Sequence, residues 1–309
     1  MDKFAALKAF TAVIETGSFQ SAAERLGITK SVISRRVSQF EQSLQCRLLH
    51  RTTRRLSLTD EGRQFYQRAV QILSDLEDAE LETTHKSMDV RGRLKLAAPL
   101  SFGLLHLSET INQFLIQHPA IELELDLNDR NINLVEDGFD MAVRIGPLED
   151  STLVAKRIGS SRSITCASKA YLEEFGCPET PEELEQHIGL QYANISYADQ
   201  WHYKDKAGND RQGKPQLRIR SNNGEALARS AASGLGIVAG PSFILGEFLR
   251  TGELITILEN FERPVLGIYA LYPPGRLIPA RVKVLTQFLT TRFGDKPYWD
   301  KGSASPLPD

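Results

Sequence analysis

The sequence predicts two unlike parts: an all-α N-terminal winged helix-turn-helix domain that continues into a long linker helix, and a C-terminal α/β domain of two Rossmann-like lobes. Three observations lead to this prediction. Short helical patterns separated by glycines fill the first 45 residues and run into a basic stretch. A heptad pattern of apolar residues then extends from Phe65 to Thr83. From Gly92 onward strand patterns alternate with helical patterns, as in an open α/β sheet.

Positive charge is concentrated at the N-terminal end of a chain of 309 residues whose formal net charge is only -2. Residues 1–65 contain 11 Lys and Arg against 6 Asp and Glu, so they carry +5 and the remainder carries -7. Residues 1–65, called the head below, are therefore basic, and the rest of the chain is acidic. This charge distribution favours a polyanion as the partner of the head alone.

Composition also indicates where the protein works. No apolar run approaches the roughly 18 residues that span a bilayer, and the N-terminus does not resemble a signal peptide. Three cysteines are few and odd in number, which fits a reducing compartment. We therefore expect a cytoplasmic protein with no membrane partner.

The first three helical patterns predict a helix-turn-helix. Residues 3–15 carry apolar side chains at helical spacing, Gly17 ends this helix, and Ser18 can cap a short second one. Gly27 supplies a tight turn, and Thr29 can cap a longer third helix. The apolar stripe of that third helix consists of Ile33, Val37, Phe40 and Leu44.

A second face of the third helix mixes short hydroxyls with cations, the groups that contact base edges and phosphates in a major groove. The residues predicted to contact DNA from this face are Thr29, Lys30, Ser31, Ser34 and Arg35. The alternative is a solvated amphipathic helix pair of any helical protein.

The segment HRTTRRLSLTDEG, residues 50–62, favours the DNA-binding interpretation. Leu56 and Leu58 alternate with polar residues, as in a short strand, and leucines also precede the basic residues. Arg51, Arg54 and Arg55 then belong to a two-stranded wing, where arginine suits phosphates and the narrow minor groove.

Apolar residues recur every three or four positions after the wing, at Phe65, Ala69, Ile72, Leu76, Ala79 and Thr83. This heptad seam predicts a long helix that pairs with a second chain. The alternative is a helix packed on its own domain. Dimerisation would give a two-fold axis and a pseudo-palindromic DNA site.

Residues 15–66, from ETGSF to RRLSLTDEGRQFY, resemble the N-terminal domain of the LysR-type transcriptional regulators. The resemblance implies a winged helix-turn-helix, a dimerising linker helix, and a C-terminal effector domain similar to periplasmic ligand-binding proteins (type II). It further implies a homodimer or homotetramer on promoter DNA, control by a small-molecule effector, and RNA polymerase as a further partner. Lys30-Ser31 departs from the Gln-Pro of many members, which affects the expected base preference.

The resemblance and the residue patterns together give the expected domains. The DNA-binding domain covers residues 1–62, the linker helix 63–90, and the effector domain 91–294. Lobe I comprises 91–162 and 268–294, and lobe II comprises 163–267. Lobe I has two segments because, in the family, the chain crosses back to the first lobe after completing the second. Residues 295–309 are rich in Pro, Ser and Asp and are expected to form a mobile tail.

An effector site is expected at the carboxyl ends of strands and at helix N-termini, where α/β sheets bind ligands. The predicted residues are Ser101, Phe102, Arg144, Ile145, Gly146, Ser221, Asn222 and Asn223, and in the family the corresponding positions line a cleft between lobes. Helix N-termini and Arg144 favour a carboxylate or other small anion. The alternative for Ser101 and Asn223 is plain helix capping.

Other functional classes find little support in the sequence. The six histidines have no metal-ligand spacing, and nucleophile, phosphate-binding and dinucleotide-binding motifs are absent. We therefore expect no enzyme, no metal and no cofactor. The remaining alternative is an effector-independent regulator with a vestigial cleft. A redox pair of Cys166 and Cys177, the identity of the effector, and the direction of regulation stay open.

Overall fold

The computed structural model describes residues 2–51, 56–83, 90–130, 132–148, 152–194, 200–274, 278–294 and 297–300. Within these ranges, the side chains of residue 51 and of residues 67, 71, 74, 75 and 77–83 are not described. The chain forms two compact units, Met1–Arg93 with Val135–Gly138, and Leu94–Leu134 with Phe139–Asp309.

The α-helices are α1 (Lys3–Thr16), α2 (Phe19–Leu26), α3 (Lys30–Leu44), α4 (Asp60–Thr83), α5 (Leu100–Phe102), α6 (Ser108–Gln117), α7 (Lys169–Phe175), α8 (Gly224–Ala232), α9 (Ser242–Arg250) and α10 (Ala280–Phe293). A π-helical turn, Gly103–Leu107, joins α5 to α6, so the chain is helical from 100 to 117.

The strands are β1 (Leu49–Arg51), β2 (Leu56–Leu58), β3 (Gly92–Ala98), β4 (Ile121–Leu127), β5 (Met141–Ile145), β6 (Val154–Ser161), β7 (Ser163–Ala167), β8 (Ile188–Tyr192), β9 (Trp201–Lys204), β10 (Asp210–Gly213), β11 (Gln216–Ser221), β12 (Ile237–Pro241), β13 (Ile255–Ile257) and β14 (Leu266–Tyr272).

Local signals place the helices of the head where the sequence predicts them. Gly17 and Gly27 end α1 and α2 in the left-handed conformation, with φ of 71° and 64°. The hydroxyl of Ser18 accepts from the backbone N–H of Ser21 at 3.0 Å and so caps α2. Thr29 occupies the cap position of α3 without a side-chain capping bond, because its hydroxyl lies 3.0 Å from that of Ser31.

The core of the head is shared by the three helices and the start of α4. The ring of Phe65 contacts Phe10 and Phe40 edge-on, at centroid distances of 6.0 and 5.5 Å. Ala69 is fully buried in the same core, whereas the next heptad residue, Ile72, is 44% exposed. The first two positions of the seam therefore pack on their own domain, whereas the third, Ile72, leaves an apolar side chain exposed.

Two five-stranded sheets form the two lobes of the second unit. The first has the order β4-β3-β5-β14-β6 and the second the order β11-β8-β12-β7-β13. The chain passes from one sheet to the other at Arg162, between β6 and β7. A helical N-terminal helix-turn-helix domain is thus followed by a two-lobed α/β domain, as predicted.

The sheets are mixed, whereas the alternating strand and helix patterns predict mostly parallel strands. Strands β3 and β5 pair in parallel, as do β8, β11 and β12. However, β14 runs antiparallel to β5 and β6, and β7 runs antiparallel to β12 and β13. These antiparallel strands are the crossing segments and their neighbours, which no βαβ unit connects.

A cluster of aromatic rings joins the lobes beside this crossing. Phe102 and His106 follow β3, and Phe243 lies on α9 of the other lobe. The centroid of Phe102 is 5.3 Å from that of Phe243 and 5.9 Å from that of Trp299. The ring centroid of Phe293 also lies 5.3 Å from that of Phe102.

The start of the predicted tail packs against this cluster. Residues Tyr298–Asp300 form a 3-10 turn. The carboxylate of Asp300 lies 3.4 Å from the Arg162 guanidinium, and both side chains are largely buried. Residues 295–296 and 301–309 of the predicted tail lie outside the described residues.

Candidate functional site

The polar face of α3 is exposed, while its apolar stripe is buried except at the last position, Leu44, which is 40% exposed. Ile33, Val37 and Phe40 are at most 3% exposed. The predicted DNA-contacting residues lie outside this stripe: Thr29, Lys30, Ser31 and Arg35 are exposed, and Ser34 is half-buried. The head core therefore orients α3 so that one edge presents hydroxyl and cationic groups to solvent.

The wing is tied to α3 and α4 by hydrogen bonds. Strands β1 and β2 pair antiparallel, with Arg51 opposite Leu56. A carboxylate oxygen of Glu41, on α3, accepts from the backbone N–H groups of Leu48 and Leu49 at 2.9 and 3.0 Å. The side chain of Arg51 is not described, and Arg54 and Arg55 lie outside the described residues.

Between the two lobes, two predicted effector residues contact each other directly. The Nδ2 of Asn223 donates to the Oγ of Ser101 at 3.3 Å, across 122 positions of sequence. The Oδ1 of Asn223 also caps α8 by accepting from the Ala226 N–H at 2.9 Å. Capping thus orients the Asn223 amide and leaves its NH2 group for lobe I. Ser101 is not a cap, because α5 begins after Pro99.

Arg144, at the end of β5, lies in a polar neighbourhood that includes two residues absent from the predicted site. Its guanidinium interacts electrostatically with Tyr192 and Asp129, and it donates to the Arg130 carbonyl at 3.2 Å. Burial lowers the pKa of Arg144 and raises the pKa of both Asp129 and Tyr192. Each of these groups therefore holds its charged form at some cost in solvation.

The other predicted effector residues are distributed around this neighbourhood. Ile145 is half-buried in β5, and Gly146 donates to the Gly267 carbonyl at 2.9 Å with a φ of 106°. The Ser221 hydroxyl accepts from the Asn223 N–H at 3.1 Å, and Asn222 is exposed. The side chain of Phe102 differs from the expectation. It is fully buried in the aromatic cluster, because its position on the first turn of the helix faces α9.

Sequence reasoning missed Asp129, Tyr192 and Asn194. The backbone carbonyl of Asp129 accepts from the Nδ2 of Asn194 at 2.7 Å, which forms a second bond between lobes. All three follow or end a strand, β4 or β8. The strand-end rule that selected Arg144 would have found them if it had been applied to every strand.

A buried histidine, His106, also joins the two lobes. The Nε2 of His106 lies 3.0 Å from the Phe243 carbonyl, so it carries the proton of the neutral ring. Nδ1 then accepts from the Tyr298 hydroxyl, 2.7 Å away. Burial lowers the pKa of His106, and the bond to the Phe243 carbonyl opposes this shift. The neutral ring fits both partners.

We expect His106 to make the effector domain less stable as the pH falls below its unfolded pKa of about 6.5. The folded state binds fewer protons than the unfolded state in the window below that value, so protons favour unfolding there. His187, whose pKa burial also lowers, adds a similar effect. The measurement is the melting temperature of wild type and His106→Gln between pH 7.5 and 5.5. The wild type should lose more stability than the variant, and parallel pH profiles would contradict the assignment.

The remaining reactive groups do not form a further centre. Cys166 is fully buried in β7, and burial raises its thiol pKa to about 12. Burial and two nearby carboxylates raise the pKa of Cys177. Both therefore stay thiols at neutral pH, the unreactive form. Among the described residues, no group of three or more His, Cys, Asp or Glu could hold a metal ion, and no helix is long and apolar enough to cross a membrane.

Two family models match the chain, one for each unit. Residues 4–63 match the bacterial regulatory helix-turn-helix protein of the lysR family, and residues 88–294 match the LysR substrate binding domain.

Relatives and solved structures match over nearly the whole chain. An HTH-type transcriptional regulator of Haemophilus influenzae is 40% identical over 91% of this chain and 98% of its own length. The structure of CrgA, a LysR-type transcriptional regulator from Neisseria meningitidis, is 34% identical with a TM-score of 0.60, covering 94% of this chain and 98% of that one. The full-length virulence activator AphB of Vibrio cholerae is 29% identical with a TM-score of 0.58, covering 93% and 98%.

Proposed function

Because the chain belongs to the LysR family of bacterial transcriptional regulators, we propose that it reads a specific promoter sequence through α3 and responds to a small anionic effector bound between its lobes. The protein is a transcriptional regulator and not an enzyme, like its named relatives. The observation that carries the proposal is the exposed edge of α3, where hydroxyls and cations stand above a buried apolar stripe.

In this proposal the residues of α3 divide by side-chain chemistry. Arg35 is long and exposed and can reach two acceptors of one guanine in the major groove. Lys30, Ser31 and Ser34 brace phosphates or base edges near the helix N-terminus, and Thr29 stands at the cap. The wing arginines Arg51, Arg54 and Arg55 clamp phosphates or the minor groove beside the reading helix.

The two-fold symmetry of the proposed DNA site depends on pairing of the linker helix α4 between two chains. Ile72 is exposed on α4, and Leu76, the next residue of the seam four positions later, is half-buried. These side chains would pack against the same helix of a second chain, which gives a dimer and a pseudo-palindromic site. Association of two such dimers would give the homotetramer and a pair of sites on one promoter.

The test begins with recovery of genomic fragments that the purified protein retains at near-physiological salt, followed by sequencing. Binding of the enriched site is then compared for wild type, Arg35→Ala, Arg54→Ala and the charge-matched control Arg250→Ala, an exposed arginine of the effector domain. We expect Arg35→Ala to weaken binding by about 1–3 kcal/mol and to relax the preference at one base pair. Arg54→Ala should weaken all sequences alike and reduce the salt slope by about 1.

The outcomes separate the two parts of the interface. If Arg54→Ala kept the affinity and salt dependence of Arg250→Ala, the wing assignment would be incorrect. If Arg35→Ala behaved in the same way, α3 would not be the reading helix.

The effector half of the proposal rests on the polar groups brought together between the lobes. Arg144 supplies the cation, and Ser101 and Asn223 supply hydroxyl and amide groups from opposite lobes. A ligand between them would open or bridge the 3.3 Å Asn223–Ser101 bond, so its binding would change how the lobes are held. The direct bond also favours, as a second candidate, a regulator whose cleft is vestigial and whose lobes stay joined without a ligand.

A further inference from the structure

We propose that Asp129 selects the effector, and that this effector is a small carboxylic acid which also carries a hydrogen-bond donor, an amino or hydroxyl group, close to its carboxylate. This inference rests on the proposed binding of an anion in the cleft. It concerns a residue that the anion proposal by itself does not use.

Asp129 already occupies the place where a simple anion would bind. Its Oδ1 accepts from the backbone N–H of Leu100 at 3.2 Å, at the beginning of the helical stretch 100–117. A helix N-terminus favours one negative charge. Because the protein supplies this charge itself, a ligand carboxylate at the same position would meet a like charge. The ligand carboxylate is therefore directed toward Arg144.

Asp129 also stands where both lobes meet. Its carbonyl accepts from Asn194 of lobe II at 2.7 Å, and its carboxylate interacts electrostatically with Arg144 and with Tyr192. Leu100, which holds the carboxylate, is next to Ser101, whose hydroxyl bonds to Asn223. A ligand held between Ser101 and Arg144 therefore lies beside the Asp129 carboxylate.

The opposite charges of Asp129 and Arg144 favour a ligand that carries both a carboxylate and a hydrogen-bond donor. Asp129 weakens the positive field of Arg144, so an acid without a donor gains less from Arg144 and meets the negative charge of the Asp129 carboxylate. A donor on the ligand pairs with Asp129 and restores the attraction. Burial raises the pKa of Asp129, which shows that its charge lacks full solvation and would gain from a donor. Since the two protein groups influence one another, the two ligand groups should be close together.

The test uses full-length protein and matched triplets of acids. Each triplet has one carbon skeleton of three to six carbons, aliphatic or aromatic, as the 2-amino acid, the 2-hydroxy acid and the unsubstituted acid. Isothermal titration and melting shifts measure binding to wild type, Asp129→Asn, Arg144→Gln and the exposed control Glu247→Gln. Asparagine keeps the acceptor for the Leu100 N–H and removes the charge.

We expect at least one skeleton whose amino or hydroxy form binds wild type at least about tenfold more tightly than the unsubstituted acid. Asp129→Asn should abolish this preference while the unsubstituted acid binds as well as before or better. Glu247→Gln should match wild type. Equal binding within every triplet, or an unchanged preference in Asp129→Asn, would overturn the role of Asp129 and leave the anion site intact.

Failure of the underlying proposal has a different signature. If no acid shifts wild type, or if Arg144→Gln leaves every affinity unchanged, the anion site itself is refuted and the selectivity with it. Retention of promoter DNA by the same preparation would then favour the effector-independent regulator.

Discussion

Asp140→Ala is expected to destabilise the effector domain by about 3–5 kcal/mol, because it removes a carboxylate that forms an ion pair with a buried guanidinium. Arg281, at the start of α10, has a side chain only 2% exposed. Its Nη2 donates to the Oδ1 of Asp140 at 3.1 Å, and the Oδ2 of Asp140 accepts from the Lys95 N–H at 2.8 Å. The carboxylate therefore joins α10 to the strands of the first sheet.

The measurement is urea and thermal unfolding followed by tryptophan fluorescence. Both tryptophans, Trp201 and Trp299, belong to the effector domain, so the signal reports this domain alone. For a domain of this size we expect a melting temperature about 10 °C lower. The control is Glu247→Ala, which removes an exposed ion pair with Arg250 and should change stability by less than about 1 kcal/mol.

A double variant separates the lost charge from the lost packing. Asp140→Ala combined with Arg281→Leu removes the buried cation as well, so it should be more stable than Asp140→Ala alone. A single variant as stable as Glu247→Ala would contradict the structural role of the pair.

Gly62→Ala is expected to destabilise the head by about 3 kcal/mol and to reduce DNA affinity at the same time. A Cβ at position 62 would overlap the backbone carbonyl of Leu48, which cannot rotate away as a side chain could. That carbonyl also accepts from the Thr59 N–H at 3.0 Å, and the Thr59 hydroxyl accepts from the Gly62 N–H at 2.9 Å. The extra methyl group therefore separates α4 from the segment that leads into the wing.

Circular dichroism of thermal unfolding and titration of the promoter site measure the two effects. The tryptophan signal should stay at the wild-type temperature, because Gly62 lies in the other unit. Gln64→Ala, an exposed substitution on the same helix, is the matched control and should change neither. If Gly62→Ala unfolded and bound DNA like Gln64→Ala, the close contact between α4 and Leu48 would not hold the wing.

The head shows how far local patterns reach. Gly17, Ser18 and Gly27 act within one helical turn of where they stand, so the bounds of α1, α2 and α3 could be predicted from neighbouring residues. The strict alternation of apolar and polar residues in IELELDL, residues 121–127, likewise predicts strand β4, because this pattern depends only on adjacent positions.

The heptad seam is a case in which the local pattern predicts an apolar helix face but not its packing partner. The spacing of Phe65, Ala69 and Ile72 predicts one continuous apolar face, but it does not say what covers that face. The structure packs Phe65 and Ala69 into the head and leaves Ile72 exposed. A period specifies the face of a helix, whereas its partner depends on how the rest of the chain folds back.

The sequence by itself determined the class of the protein, the helix-turn-helix with its polar edge on α3, and the alternation that gives two α/β lobes. Only the tertiary structure decided which polar groups meet between the lobes and which of the predicted side chains are buried elsewhere. It brought Ser101 to Asn223 and added Asp129 beside Arg144, while it placed Phe102 in the aromatic core. The physical reason is distance along the chain: caps and periodicities act over a few residues, but the contact between Asn223 and Ser101 joins positions 122 residues apart and exists only after both sheets have formed.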